Sequence, residues 1–206
     1  MFDSCLLEES PVLLICAQVL LIVFNSYTPV LIAVILGVGL LLYFYRVPHR
    51  PRIKAPYRCI VSPSDGKVLE IEYKKNGYLR VVIYLSPLDV HLQWYPTYGV
   101  VVDRRYVPGR FNMAHLTKKS QYNERMSTLL RNEFGVVRVD QIAGQLARRI
   151  VNKAVLHTMV RRGERMGMIK LSSRVDIHLP SDAVKLHIKE GDRLVGNETI
   201  LATWTA

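Results

Sequence analysis

The chain has 206 residues, half of them apolar, and a formal charge of +11, a length that suits one domain of ordinary size plus whatever the N-terminus adds. Its three cysteines, Cys5, Cys16 and Cys59, form neither a disulfide framework nor a metal-ligand spacing, which excludes a disulfide-stapled scaffold or zinc module and leans toward a reducing compartment. Of the 17 Asp and Glu only Asp3, Glu8 and Glu9 precede Arg46, so the remainder sets 28 Lys and Arg against 14 acidic residues and predicts an anionic partner, nucleic acid or an acidic membrane surface.

From Pro11 to Tyr45 no side chain is charged. Asn25-Ser26-Tyr27-Thr28-Pro29 divides this run into residues 12–24 and 30–45. A spanning helix needs about 20 apolar residues, with roughly 17 the lower limit. Residues 28–45 reach that limit, whereas 11–24 fall short unless they thin the bilayer or borrow flanking residues. Residues 1–45 are therefore predicted to be a membrane anchor of one or two apolar helices, the second form a hairpin. A secretory signal peptide would carry a basic n-region, and this N-terminus is acidic. Tyr43, Phe44 and Tyr45 form an aromatic belt, and Arg46, His49, Arg50, Arg52, Lys54 and Arg58 follow. That order predicts a cell-membrane protein whose domain faces the cytoplasm. Pro48, Pro51 and Pro56 make residues 46–58 a basic, extended linker.

Beyond the linker, residues 59–206 read as mainly β. Residues 68–73 and 78–85 form strand patterns around Lys75-Asn76-Gly77, a hairpin signal. Further strand-like runs cover 100–107, 126–131, 136–142, 149–151, 168–171, 175–179, 184–188 and 199–204, while 116–126 is ambiguous. Arg162-Gly163-Glu164-Arg165-Met166-Gly167 is echoed by Glu190-Gly191-Asp192-Arg193-Leu194-Val195-Gly196. A charged turn used twice between short strands predicts a compact β-sandwich of the barrel-sandwich-hybrid kind, mainly β with α+β character. The lysine that lipoyl-type carriers modify lies in a characteristic hairpin turn, and no clear match to it appears, so the echo speaks to architecture alone.

Three polar positions lie in tight, small-residue settings: Asp65 in Ser62-Pro63-Ser64-Asp65-Gly66, His91 in Ser86-Pro87-Leu88-Asp89-Val90-His91, and Ser173 beside Ser172. Each alone has an ordinary explanation as a turn or a structural histidine. Together they permit a hydroxyl nucleophile, a base that takes its proton and a carboxylate that orients the base. Spacing does not show that they meet.

The runs Ser62–Val68, Leu85–His91, Tyr106–Phe111, Asn123–Arg125, Gln141–Gly144 with Ala147–Ile150, and Gly163–Asp176 resemble, in order, those of the phosphatidylserine decarboxylases, the short membrane-anchored form above all. The resemblance implies a proenzyme that cleaves itself before a serine, converts that serine to a pyruvoyl group, and turns phosphatidylserine into phosphatidylethanolamine. It places the cleavage serine on Ser173, the base on His91 and the orienting carboxylate on Asp65, with the scissile bond between Ser172 and Ser173. Leu171-Ser172 stands where the short family usually has Phe-Gly, and glycine would relax the backbone more. Trp94 stands where a longer branch carries a second histidine.

The implied chemistry accounts for these residue types. His91 takes the Ser173 proton, the oxygen attacks the Ser172 carbonyl to give an ester, and β-elimination releases Ser172 and leaves dehydroalanine. Tautomerisation and hydrolysis then give a pyruvoyl carbonyl that forms a Schiff base with the substrate amine, so neither a metal nor pyridoxal phosphate is expected. The implied partners are phosphatidylserine in an anionic membrane and the two chains of the cleaved proenzyme. A homo-oligomer is compatible with the sequence.

Rival readings are a serine hydrolase, disfavoured because no Gly-x-Ser-x-Gly elbow surrounds Ser173, a catalytically silent membrane-tethered homologue, and a nucleic-acid binder, for which no motif appears. An archaeal ether analogue is the alternative lipid.

Overall fold

A computed structural model describes residues 10–50, 56–115, 117–145, 149–170 and 173–205. They fall into two compact units, one ending at Tyr43 and the other running from Phe44 to the C-terminus.

The described part of the first unit is helical throughout: it belongs to α1 (Ser10–Phe44), 35 residues long with Pro29 inside it, whose last residue is the first of the second unit. At 1.5 Å per residue it is about 50 Å long, and its stretch Leu14–Phe44 is long and apolar enough to cross a membrane. The interruption read at residues 25–29 does not break it. Proline removes one backbone donor and normally kinks or ends a helix. The Thr28 hydroxyl donates to the Phe24 carbonyl, next to the Asn25 carbonyl that Pro29 leaves without its usual N–H. In an apolar environment the helix is the state that satisfies the most backbone groups, so a lone proline is tolerated. Pro48 follows closely after its end.

The second unit is built of antiparallel strands. Eight of them, β13 (Arg193–Leu194), β2 (Gly66–Tyr73), β3 (Tyr78–Leu85), β11 (Ser173–Pro180), β7 (Gly135–Ile142), β6 (Arg125–Asn132), β5 (Gly99–Val107) and β9 (Met159–Val160), form one sheet in that order. It curls into a half-barrel. Two three-stranded sheets accompany it: β1 (Cys59–Val61), β14 (Ile200–Trp204) and β12 (Val184–Leu186), and β4 (Leu92–Trp94), β10 (Arg165–Ile169) and β8 (Ile150–Asn152). The expected mainly-β domain with an N-terminal apolar helix is the observed one. The ambiguous stretch 116–126 resolves into a one-turn helix, α2 (Thr117–Ser120), and the start of β6.

Alternation decides where the core lies. Along β11, Val175, Ile177 and Leu179 are fully buried and join Leu79, Val81, Ile83 and Leu85 of β3 and Val137 and Val139 of β7 in one cluster. Successive side chains of a strand point to opposite faces, so Ser173 shares the core face while Arg174, Asp176 and His178 take the other. Those three are also buried, which explains why β11 reads in sequence as only a partial strand pattern.

The short strands β1, β4, β9 and β13 have no counterpart in the sequence reading. Each has two or three residues, too short for periodicity to register, and each forms only because a neighbouring strand supplies a pairing edge. The two echoed turns precede β10 and β13, which belong to different sheets.

Candidate active site

Ser173 opens β11, directly opposite Leu85, the last residue of β3. The chain leaves β3 through Ser86-Pro87-Leu88-Asp89 and reaches His91 just before β4. There Leu92 pairs with Met168 of β10, and the Ile169 amide donates to the His91 carbonyl at 3.2 Å. The loop carrying His91 thus leaves β3 at the residue paired with Ser173 and comes to lie against Ile169 at the end of β10. Ser172 itself, with Leu171, lies outside the described residues.

Both groups are fully buried. Among the described residues, Ser173 Oγ and His91 Nε2 have no hydrogen-bond partner, nor does the buried hydroxyl of Ser64. Orphaned buried polar atoms are rare and call for a functional or structural reason. The other imidazole nitrogen is satisfied: Nδ1 lies 2.8 Å from the Asp89 carbonyl oxygen. A carbonyl only accepts, so Nδ1 carries the proton and Nε2 presents a free lone pair. Asp89 is fixed by its own turn, its carboxylate accepting from the Ser86 amide at 2.7 Å and from Arg193 at 3.1 Å.

Burial pushes the His91 pKa below its ordinary 6.5, against the hydrogen bond and charge of Asp89, with Arg46 also lowering it and Asp65 raising it. Phe44 lies against the imidazole, ring centroids 4.4 Å apart and tilted by 43°. An aromatic face attracts an imidazolium by about 0.5–1 kcal/mol at exposed sites, whereas burial shifts a histidine by up to a few pKa units, so desolvation prevails. His91 is a neutral base at pH 7.

Asp65 behaves differently from the orienting carboxylate that the motif implies. Both its oxygens are taken by Arg50, Oδ2 at 2.7 Å, and the Gly196 amide adds a third bond at 2.8 Å. Arg50 also donates to the Gly196 carbonyl at 2.7 Å and stacks over Trp94. His91 is oriented by the Asp89 backbone, and Asp65 reaches it through charge alone. Two glycines make this cluster. Gly66 has φ +142° and no room for a side chain against the Tyr84 carbonyl, and a Cβ on Gly196 would strike the Trp94 ring. Arg50, read in sequence as part of the basic linker, is therefore drawn into the domain. Ion pairing with a carboxylate that is itself 14% exposed outweighs its solvation there.

A buried chain of amides supports His91 from behind. Gln93 donates to the His91 carbonyl at 2.9 Å, Gln141 to Gln93 at 2.8 Å, and Asn152 to Gln141 at 2.8 Å and Thr128 at 3.0 Å. This network ties β4 and β8 to β6 and β7 on the Ser173 face. Sequence reasoning missed it, because Gln and Asn are ordinary surface residues and only the pairing of sheets buries them.

On the opposite face, Arg174 is wholly buried and grips Asp176 through two 2.6 Å bonds, with further bonds to Ser120 Oγ at 2.6 Å and the Thr117 carbonyl at 3.1 Å. A cavity of about 600 Å³ opens there, lined by Arg80, Arg105, Arg138, Asp140, Asp176 and His178 among others. Burial pushes the Asp140 pKa up, but His178, Arg138 and Ser127 outweigh it and hold that carboxyl below its usual range. His178 therefore belongs to this face and not to that of Ser173, while His115 and His157 are exposed. Among the described residues no three His, Cys, Asp or Glu are grouped to hold a metal ion.

A mainly β domain that buries an unpartnered serine hydroxyl and an unpartnered imidazole nitrogen, preceded by an apolar helix long enough to cross a membrane, defines the class of protein to compare with known families. A profile of the phosphatidylserine decarboxylases matches residues 39–202. The chain is 40% identical over 168 residues to a phosphatidylserine decarboxylase proenzyme of Chlorobium phaeobacteroides, covering 79% of this chain and 78% of that one. It is 38% identical over 199 residues to that of Chlorobium chlorochromatii, with 93% and 92% covered, and 40% identical over 159 residues to that of Streptomyces coelicolor, with 77% and 71% covered. The chain belongs to the phosphatidylserine decarboxylase family and is a decarboxylase.

Proposed function

We propose that this chain is a proenzyme that cleaves itself between Ser172 and Ser173 and then decarboxylates phosphatidylserine to phosphatidylethanolamine. The observation that carries the reading is the pair of buried, unpartnered groups, Ser173 Oγ and His91 Nε2, at one end of β3 and β11. Relatives named as proenzymes support the processing step.

In this reading His91 Nε2 accepts the Ser173 hydroxyl proton and the oxygen attacks the carbonyl carbon of residue 172. The amide C–N bond breaks as the ester C–O bond forms, and the freed amine takes a proton. Loss of the Ser173 α-proton then expels the residue 172 carboxylate as a new C-terminus and leaves dehydroalanine. Its imine tautomer takes up water and releases ammonia, giving the pyruvoyl carbonyl. The buried serine at the head of a strand fits such a group, with Leu85 opposite and Arg174 behind it. Once formed, the pyruvoyl carbonyl supplies an electron sink for the bond to CO2. His91 and the Asp89 carbonyl then hold and move protons beside residue 173, and the core face excludes water. The helix α1 anchors the domain in the membrane, and the basic residues after it orient the domain toward the cytoplasm.

The test is the mass of the small fragment from purified protein. A pyruvoyl joined directly to Arg174 is expected. A fragment with an intact Ser173 behind a blocking group would place the chemistry on Ser172 and overturn the reading.

A further inference from the structure

We propose that Phe44 is a positioning residue for His91, an aromatic cover that keeps water from the imidazole while the Asp89 carbonyl fixes the ring through Nδ1. The proposal rests on the reading of His91 as the processing base and assigns the protein a second task for its aromatic belt.

The belt Tyr43-Phe44-Tyr45 suggests three rings at a membrane interface. The structure separates them: Tyr43 and Tyr45 are 47% and 40% exposed, whereas Phe44 is 4% exposed. Phe44 is the first residue of the globular unit, and its ring lies 4.4 Å from that of His91. Two residues on, Arg46 donates to the Leu88 carbonyl at 2.8 Å, which pins the same segment to the loop that carries His91. The imidazole is thus bounded by Phe44 on one side, by the Asp89 carbonyl at Nδ1, and through its own backbone by Ile169 and Gln93. The charged groups acting on it are Asp89, Arg46 and Asp65. None of these replaces an apolar ring as a barrier to water, because each is polar and hydrated when exposed. Opening the Phe44 side would admit water and let Nε2 protonate more readily.

The experiment uses the full chain in detergent micelles with Ser173→Ala, so that every sample is a single uncleaved polypeptide. The Cε1–H signals of its six histidines are titrated by NMR, with His91 assigned by its loss in His91→Gln. Phe44→Leu should leave the His91 titration near that of the parent, and Phe44→Ala should move it up toward 6.5. Phe44→Gln keeps more of the side-chain volume than alanine while admitting polarity, and should move it in the same direction should the alanine variant not fold. In parallel, with Ser173 restored, the acid limb of self-cleavage should shift to higher pH in Phe44→Ala or Phe44→Gln. Processing would then fall several-fold near about pH 6 and much less near about pH 8. A His91 titration unchanged in both variants overturns the proposal, as does a loss of processing that is equal at all pH values, the mark of a purely structural role. Normal cleavage of His91→Gln would instead overturn the reading of His91 as base, while the titrations still decide whether Phe44 covers it.

Discussion

Under the proposed reading His91 must stay unprotonated to take a proton at neutral pH, and its burial favours the neutral imidazole. Because its folded pKa lies below 6.5, the imidazole is neutral at pH 7 and gains a proton only at lower pH. Self-cleavage should accordingly be flat from about pH 7 to 8 and fall once the pH drops below about 6.5. Stability follows the same sign. The unfolded chain binds that proton first, so the share of stability tied to neutral His91 is lost as pH falls through the window below 6.5. A cleavage rate that rose on acidification would contradict the assignment. His91→Ala should leave one full-length band on a denaturing gel. At Asp65 the structure alters the expectation. Because its carboxylate holds Arg50 and Gly196, Asp65→Asn should loosen that cluster as well as remove a charge that raises the His91 pKa. Arg50→Ala should therefore reproduce much of its defect, and the double variant should be less than additive. Full additivity in cleavage rates would show that Asp65 acts independently of Arg50.

At the scale of elements, β11 has two faces with different tasks. One face carries Ser173 and a run of core residues, the other a buried ion pair. Ile177 is fully buried in the centre of the sheet, and Ile177→Ala should cost about 2–5 kcal/mol through the cavity it leaves. Asp176→Ala should cost about 3–5 kcal/mol, because it strands the wholly buried Arg174 without its bidentate partner. Denaturant unfolding of both variants in a Ser173→Ala chain checks these values without interference from cleavage. A loss below about 1 kcal/mol for Asp176→Ala would mean that Ser120 and Thr117 suffice to hold the guanidinium. The helix α1 teaches the converse lesson about elements. Its proline and polar residues at 25–29 look like a break in sequence, yet one continuous helix passes through them.

For the whole molecule, a helix of this length with apolar side chains exposed from Leu14 to Tyr43, Leu20 at 73% and Leu42 at 71% among them, predicts integral membrane attachment. High salt and carbonate should leave the chain in the membrane fraction, and detergent should release it. A chain starting at Phe44 should retain a weaker, salt-sensitive affinity for acidic vesicles, at about 1 kcal/mol per Lys or Arg near the surface. Equal binding to neutral and acidic vesicles would remove the electrostatic part of this argument.

Local chemistry determined much of this in the sequence. The uncharged run, the hairpin at residues 73–78 and the strands with clear alternation depend on neighbours close along the chain. The three candidate residues were legible because each sits in a turn whose composition is itself informative. Tertiary structure decided what those residues touch. It gave the task of orienting His91 to a backbone carbonyl and tied Asp65 to Arg50. It also buried Arg174 with Asp176 and turned one ring of the aromatic belt toward His91. Each of these contacts joins segments distant in sequence or depends on which face of a strand is covered. A carbonyl oxygen has no letter in the sequence, and a buried glutamine has the same letter as an exposed one.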